Sequence, residues 1–285
     1  MKLTFLGTSA GEQYPGFWCR CEYCDKARQL GGRNLRKNSC AWLDPDTLID
    51  FPPEIFMQAE RFGIPVVDAR TILITHSHQD HFYPNLFHWR AMRPDIPLPP
   101  PHTIGGPRFS PVVPLRVYGN QQVCDAVLAR VGDRLELCAM EVHQVEPFRE
   151  IEEGAMRFVA VPGNHADGDG HALTYIIQRE GKTFLYALDT GWFLPESYAE
   201  IARHRYDLVV IEGTFGFGVD SEQHMNFRKL EEVRRLFEKD GLLKPGAPFV
   251  ASHICPHFTP VHDEAAPLVA EKGITLAYDG MTVEF

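Results

Sequence analysis

Six consecutive residues, His76-Ser77-His78-Gln79-Asp80-His81, place three imidazoles and a carboxylate at the end of a short apolar run, residues 71–75. Side chains two apart on an extended chain point the same way, so His76 and His78 can grip one metal ion together. If the chain then turns into a helix, Asp80 and His81 face a second position nearby. Imidazole and carboxylate are ligands that zinc, manganese and iron all accept. The bland alternative is a histidine-rich turn that binds nothing. A buried strand end is where α/β folds tend to place ligands, and that favours the metal.

Six residues cannot complete two coordination shells. Three further strand ends offer candidates: residues 159–165 end in His165, 185–191 carry Asp189 before a turn, and 249–253 end in His253. Singly, each reads as a cap or a solvated side chain. Jointly, they recur at the structural station of the first cluster. Cys19, Cys21 and Cys24 form a second constellation, with three thiolates at zinc-like spacing. A tetrahedral structural zinc wants a fourth ligand, and Cys40, Cys255, His257 and His262 are available. His257 follows His253 closely, which puts it near the first site but pointing elsewhere. Free buried thiols or a redox pair are the alternatives. Seven cysteines, an odd number, without a secretion signal read better as metal ligands than as a disulfide framework.

The elements that must hold these side chains are short. Strands are expected at 3–6, 41–43, 47–49, 71–75, 115–118, 134–142, 155–161, 172–178, 183–187, 208–212, 249–252, 275–278 and 282–284, each β-branched or aromatic and bounded by turn residues. Residues 53–62 open with proline and stop at Gly63, as helices do. Leu230, Val233, Leu236 and Phe237 recur at helical spacing after Asn226, a plausible cap, and stop at Gly241. Helices are also expected at 121–131, 195–203 and 263–271. Mixed strands and helices without a break in composition predict one layered α/β domain over residues 1–285. The proline-rich stretch 93–114 interrupts it as a loop, either a lid or a surface excursion, and is compatible with an interface in a homodimer.

Composition narrows the partners. The formal net charge is −10, which repels nucleic acid and anionic membranes at long range. A small phosphate-bearing substrate stays compatible, because two bound divalent cations would concentrate positive charge at one place. The opening Met1-Lys2-Leu3-Thr4-Phe5-Leu6-Gly7 is too short in apolar residues for a signal peptide, and no run approaches a membrane span. A cytoplasmic protein with no nucleic-acid or membrane partner is the expectation.

The order His76, His78, Asp80, His81, His165, Asp189, His253 resembles the metallo-β-lactamase superfamily across nearly the whole chain. The resemblance implies a four-layer αβ/βα sandwich with a dinuclear site at one edge. It implies that His76, His78 and His165 hold one divalent metal, that Asp80, His81 and His253 hold the other, and that Asp189 bridges them. The glycine-rich opening Leu6-Gly7-Thr8-Ser9-Ala10-Gly11, the cysteine cluster and Arg36-Lys37-Asn38-Ser39 look like the cyclic phosphodiesterases of the carbon–phosphorus lyase pathway. Those open phosphoribosyl 1,2-cyclic phosphate and carry a Cys₃His zinc beside two catalytic ions, manganese or zinc. The pyrroloquinoline-quinone biosynthesis protein B has a similar opening and cysteine cluster.

The reaction so implied is hydrolysis of a small phosphodiester, cyclic ones included. Two cations lower the pKa of a shared water. Asp80 orients that water or takes its proton. His224 lies after the strand 208–212 and before a helix, whose N-terminus would attract phosphate. It is the candidate donor to the leaving alkoxide, and relatives carry a substrate-contacting histidine in this region. Rival readings are a lactone, thioester or β-lactam hydrolase in the same site, and a non-hydrolytic metal-binding accessory protein. A tRNA endonuclease of this fold is disfavoured by the acidic chain without a long basic extension. Redox chemistry at iron is disfavoured because His81 follows Asp80 where the flavodiiron relatives need an acidic ligand.

Overall fold

The computed structural model describes residues 1–90 and 113–285. Six strands from the first half of the chain enter one sheet: β1 (Lys2–Gly7), β2 (Cys40–Leu43), β3 (Thr47–Ile49), β4 (Thr71–Leu73), β5 (Leu115–Gly119) and β6 (Met140–Gln144). The second half supplies β7 (Glu150–Glu153), β8 (Met156–Asp167), β9 (Gly170–Arg179), β10 (Lys182–Ala187), β11 (Leu208–Glu212), β12 (Phe249–Ser252) and β13 (Thr275–Leu276). The last strand, β14 (Thr282–Glu284), returns to the first sheet beside β1. The two orders are β14-β1-β2-β3-β4-β5-β6 and β13-β12-β11-β10-β9-β8-β7.

Period-2 alternation decides what each strand faces. Leu208 and Val210 of β11 join Phe5, Leu43, Ile49, Tyr175 and Tyr186 in the core between the sheets. Their neighbours Val209 and Ile211 face the other way, onto helices α4 (Pro195–Ile201), α5 (Phe227–Lys239) and α6 (His262–Ala270). On the first sheet Trp42, Leu48, Ile72 and Val117 face outward onto α2 (Ile55–Phe62) and α3 (Gln121–Val131). Helix, sheet, sheet, helix is the expected sandwich, and central strands apolar on both faces follow from it.

Both sheets pass from antiparallel to parallel pairing. Strands β3 to β6 run parallel, as do β10 to β13. The carboxyl ends of β3, β4, β10, β11 and β12 carry the chemistry described below, the usual place for ligands in parallel sheets.

Several boundaries differ from expectation. Arg134 ends a 3₁₀ turn and residues 135–139 form further turns, so pairing begins only at Met140 although Arg134-Leu135-Glu136-Leu137 alternates like a strand. Strand β8 does not stop before His165 but continues to Asp167, with a register shift between Pro162 and Ala166. A helix not expected, α1 (Glu22–Leu30), starts within the cysteine cluster. The proline-rich stretch 93–114 lies outside the described residues except for Val113 and Pro114. Among the described residues, no helix is long and apolar enough to cross a membrane.

Candidate metal centre

Strand β4 delivers His76 fully buried, and Ser77 is pinned next to it. The Asp167 carboxylate accepts from the Ser77 amide at 2.9 Å, from Ser77 Oγ at 2.5 Å and from Asn120 Nδ2 at 2.6 Å. The chain then makes one turn, not a helix: the amides of His81 and Phe82 both donate to the His78 carbonyl. That turn suffices to split the motif. His76 Nε2 lies 2.9 Å from His78 Nδ1, and His78 Nδ1 lies 3.3 Å from His165 Nε2. His81 Nε2 points instead to His253 Nε2 at 3.0 Å and Asp80 Oδ2 at 3.4 Å.

Asp189 joins the two groups. Its Oδ2 lies 2.7 Å from His81 Nε2, 3.3 Å from His76 Nε2 and 3.4 Å from His253 Nε2. The sets His76–His78–His165 and Asp80–His81–Asp189–His253 each gather their ligand atoms within 4.8 Å. His224 falls in a third such set with His165 and Asp189. Asp50, Asp189 and His253 all adopt positive φ, at 66°, 45° and 59°. Non-glycine residues rarely do so, and such conformations concentrate at functional sites.

Partners the sequence reading missed fix the imidazoles. Asp50 Oδ2 sits 2.7 Å from His81 Nδ1, while its Oδ1 accepts from the Thr75 amide and hydroxyl. The carboxylate accepts a hydrogen bond from Nδ1–H and so leaves the Nε2 lone pair free to ligate. Thr214 does the same for His253: its hydroxyl donates to Glu212 and therefore accepts from Nδ1 at 2.8 Å. Glu212 also accepts from the Thr190 amide and faces His224 Nδ1 at 3.0 Å. Asp50 and Glu212 end strands, the signal used for Asp189, but they orient ligands and do not gather with them, so position alone did not single them out.

The electrostatics follow from these contacts. Burial holds His76 and His165 neutral, with pKa values below the ordinary imidazole value. Burial opposes the charge on Asp189, yet His253 and His81 keep its carboxyl well below the ordinary range. Burial likewise opposes a cation on His224, but Glu212 and then Asp189 outweigh it and push the pKa up to about 9. Neutral imidazoles and ionised carboxylates are the ligating forms. Buried Asp189 Oδ1 has no hydrogen-bond partner. A divalent cation in each set would satisfy these facing lone pairs, so the residues fit the metals that the fold implies.

The thiolates form a separate cluster. Cys19, Cys21 and Cys24 lie within 4.8 Å of one another, and His257 Nδ1 is 4.0 Å from Cys19 Sγ. Cys40 instead donates to the Asp50 carbonyl, and His262 accepts from Arg36. Burial raises the Cys21 thiol, but the Cys24 amide, the neighbouring thiols and His257 bring it down to about 7.

The family model for the beta-lactamase superfamily domain matches residues 46–242. The chain belongs to the metallo-β-lactamase superfamily. No curated protein matches the sequence. A diphosphatase from the PhnP family superposes with a TM-score of 0.72 at 23% identity, covering 100% of this chain and 96% of the other. Zinc-bound PqqB from Methylobacterium extorquens gives 0.69 at 18% identity, with 100% of both chains covered. YhfI from Bacillus subtilis, a metallo-β-lactamase fold protein, gives 0.65 at 15% identity over 99% of each. These likenesses show the shared fold, and the histidine–aspartate sets lie at the carboxyl ends of its parallel strands.

Proposed function

We propose that the protein is a metal-dependent phosphodiesterase acting on a small phosphodiester, cyclic ones included. The observation that carries this is His224. It stands beside both ligand sets, 3.4 Å from Asp189 Oδ1, with Glu212 behind it favouring the protonated ring. A cationic imidazole facing a metal cluster suits a leaving alkoxide that needs a proton. The likeness to a PhnP-family diphosphatase supports phosphoryl chemistry at such a site.

His76, His78 and His165 would hold one divalent ion, and Asp80, His81 and His253 the other, with Asp189 shared. Manganese and zinc both suit these donors. Bound there, a pair of such ions supplies a hydroxide near neutral pH and draws charge off the phosphoryl oxygens. Asp80, the one member of its set that is not fully buried, orients the attacking water and takes its proton. His224 gives a proton to the departing oxygen, and Glu212 keeps that proton on the ring beforehand. Cys19, Cys21, Cys24 and His257 would hold a structural zinc. The 4.0 Å between Cys19 Sγ and His257 Nδ1 is close to the roughly 3.6 Å that two ligands of one tetrahedral zinc span.

The test is phosphorus NMR of ribose 1,2-cyclic phosphate incubated with protein loaded separately with manganese and zinc, with an Asp189→Ala variant as blank. Conversion to one ring-opened monoester, absent in the blank, is the expected result. No conversion by protein shown to hold two ions would sink this substrate and move the test to lactones and thioesters.

A further inference from the structure

The metal centre opens into a cleft whose aromatic wall none of the roles above uses. Gly11 stands at its inner end, where an added Cβ would lie only 3.4 Å from Asp80 Oδ2. From there a cleft of about 600 Å³ runs past Glu12, Gln13, Phe17 and Trp18 to Cys19 and His257. Sites for small ligands have volumes of this order.

Its outer wall is aromatic and faces solvent. Trp18 is 93% exposed and Phe17 76%, and their rings meet edge to face at 4.8 Å and 88°. One exposed aromatic needs no explanation. Two adjacent rings on a cleft that leads to the metal ligands do. The loop that carries them is anchored and closed on itself: buried Tyr14 donates to the Thr259 carbonyl, the Gly16 amide donates to Cys24 Sγ, and the Cys19 amide donates to the Gly16 carbonyl. The rings are therefore held outward by fixed backbone.

The cleft carries few charged side chains, and those it has are engaged. The Glu12 carboxylate is paired with His257 Nε2. Lys37 Nζ is engaged by Gln13 Oε1 at 2.8 Å. Among the described residues lining the cleft, none is lysine or arginine. A second phosphate on the substrate meets the Glu12 carboxylate and, at the Gln13 end, only Lys37, whereas a neutral planar ring meets an exposed aromatic pair. Bases stack on such side chains with little regard to sequence.

Resting on the phosphodiesterase reading, we infer that the Phe17–Trp18 cleft selects phosphodiesters whose organic arm ends in a planar aromatic ring, a nucleobase, over those ending in a second phosphate. Trp18 is then a specificity residue, and it touches the arm rather than the reacting atoms.

The experiment compares adenosine 2′,3′-cyclic phosphate with the 5-phosphorylated ribose 1,2-cyclic phosphate on metal-loaded protein. The expected result is a higher kcat/KM for the base-bearing substrate. In Trp18→Ala that preference falls about ten-fold through KM, and Trp18→Phe keeps most of it. A preference for the bis-phosphate would overturn the inference. So would an unchanged preference in Trp18→Ala, including the case where that variant instead splits a dimer and reveals an interface. Tryptophan fluorescence supplies a readout independent of turnover: adenosine 5′-monophosphate should quench wild type more than Trp18→Ala, and ribose 5-phosphate should quench neither. If neither diester is turned over, the phosphodiesterase reading falls, while quenching still decides the cleft. Equal quenching by the two monophosphates would remove the aromatic subsite.

Discussion

At the scale of single residues, the groups behind the candidate metal ligands should decide how well the centre would hold ions. Asp50 fixes the tautomer of His81 and receives two further hydrogen bonds from Thr75, so its orientation is rigid. Asp50→Asn should keep the fold and loosen metal binding at the Asp80–His81–His253 position by about 10- to 100-fold. Metal titration followed by calorimetry would show this, and an unchanged affinity would make Asp50 a packing residue only. His224→Ala should lower turnover by about 10²-fold or more, read on whichever substrate the protein accepts, with both metals retained. Retained turnover would remove His224 from the reaction. The gathered side chains were legible in the sequence because histidine is uncommon and recurred at strand ends. Asp50, Glu212, Asp167 and Thr214 were not, because acidic and hydroxyl residues are common on any surface. Only contacts such as Ser77 to Asp167, 90 residues apart, single them out.

At the scale of elements, alternation and turn residues read well where one face of a strand or helix is apolar. Helix α3 spans Gln121–Val131 as expected, and Asn226 caps α5 by accepting from the Lys229 amide. Strand β7 was missed because Glu-Ile-Glu-Glu offers a single apolar side chain, and it pairs at a sheet edge with β8. Helix α1 was missed because its cysteines were read as ligands before they were read as a helix start. The connection from β11 to α5 matters most for function, since it carries His224. It packs directly on Gly191: a Cβ there would come within 1.7 Å of the Glu222 carbonyl oxygen, which also accepts from Asn164 Nδ2. Gly191→Ala must push this connection outward and carry His224 away from Asp189. Turnover should fall by about as much as in His224→Ala, with metal content unchanged. Paired metal analysis and kinetics on the folded variant check this, and wild-type turnover would show that the connection tolerates the shift.

At the scale of the whole molecule, the two ends of the chain are tied together by a buried polar network. Arg36 Nη1 donates to Thr8 Oγ1 at 2.7 Å, and Thr8 donates to Asp279 Oδ1 at 2.8 Å. Asp279 also accepts from the Lys37 amide and Gln58 Nε2, and Arg36 Nη2 donates to His262 Nδ1. Burial raises the Asp279 carboxyl to about 6, against the lowering effects of these donors and of Arg36. Burial likewise brings Arg36 down to about 10 and, helped by Arg36, His262 to about 3. Of the three, Asp279 alone titrates between pH 4 and pH 6. A carboxyl with a raised folded pKa binds its proton more tightly in the native state than in the unfolded chain. Its contribution to stability is therefore greatest below the unfolded value of 3.8, declines as pH rises toward about 6, and is level above that. Asp279→Asn removes this titration while leaving the other groups in place. The stability of wild type minus that of the variant should thus fall by on the order of 1–3 kcal/mol between pH 4.5 and pH 7. Urea unfolding of both proteins at the two pH values measures it, and taking the difference cancels the metal ligands common to both. A difference that does not change with pH would mean that Arg36 and the three donors fully offset the burial of Asp279, and that the network contributes the same stability in acid as at neutrality.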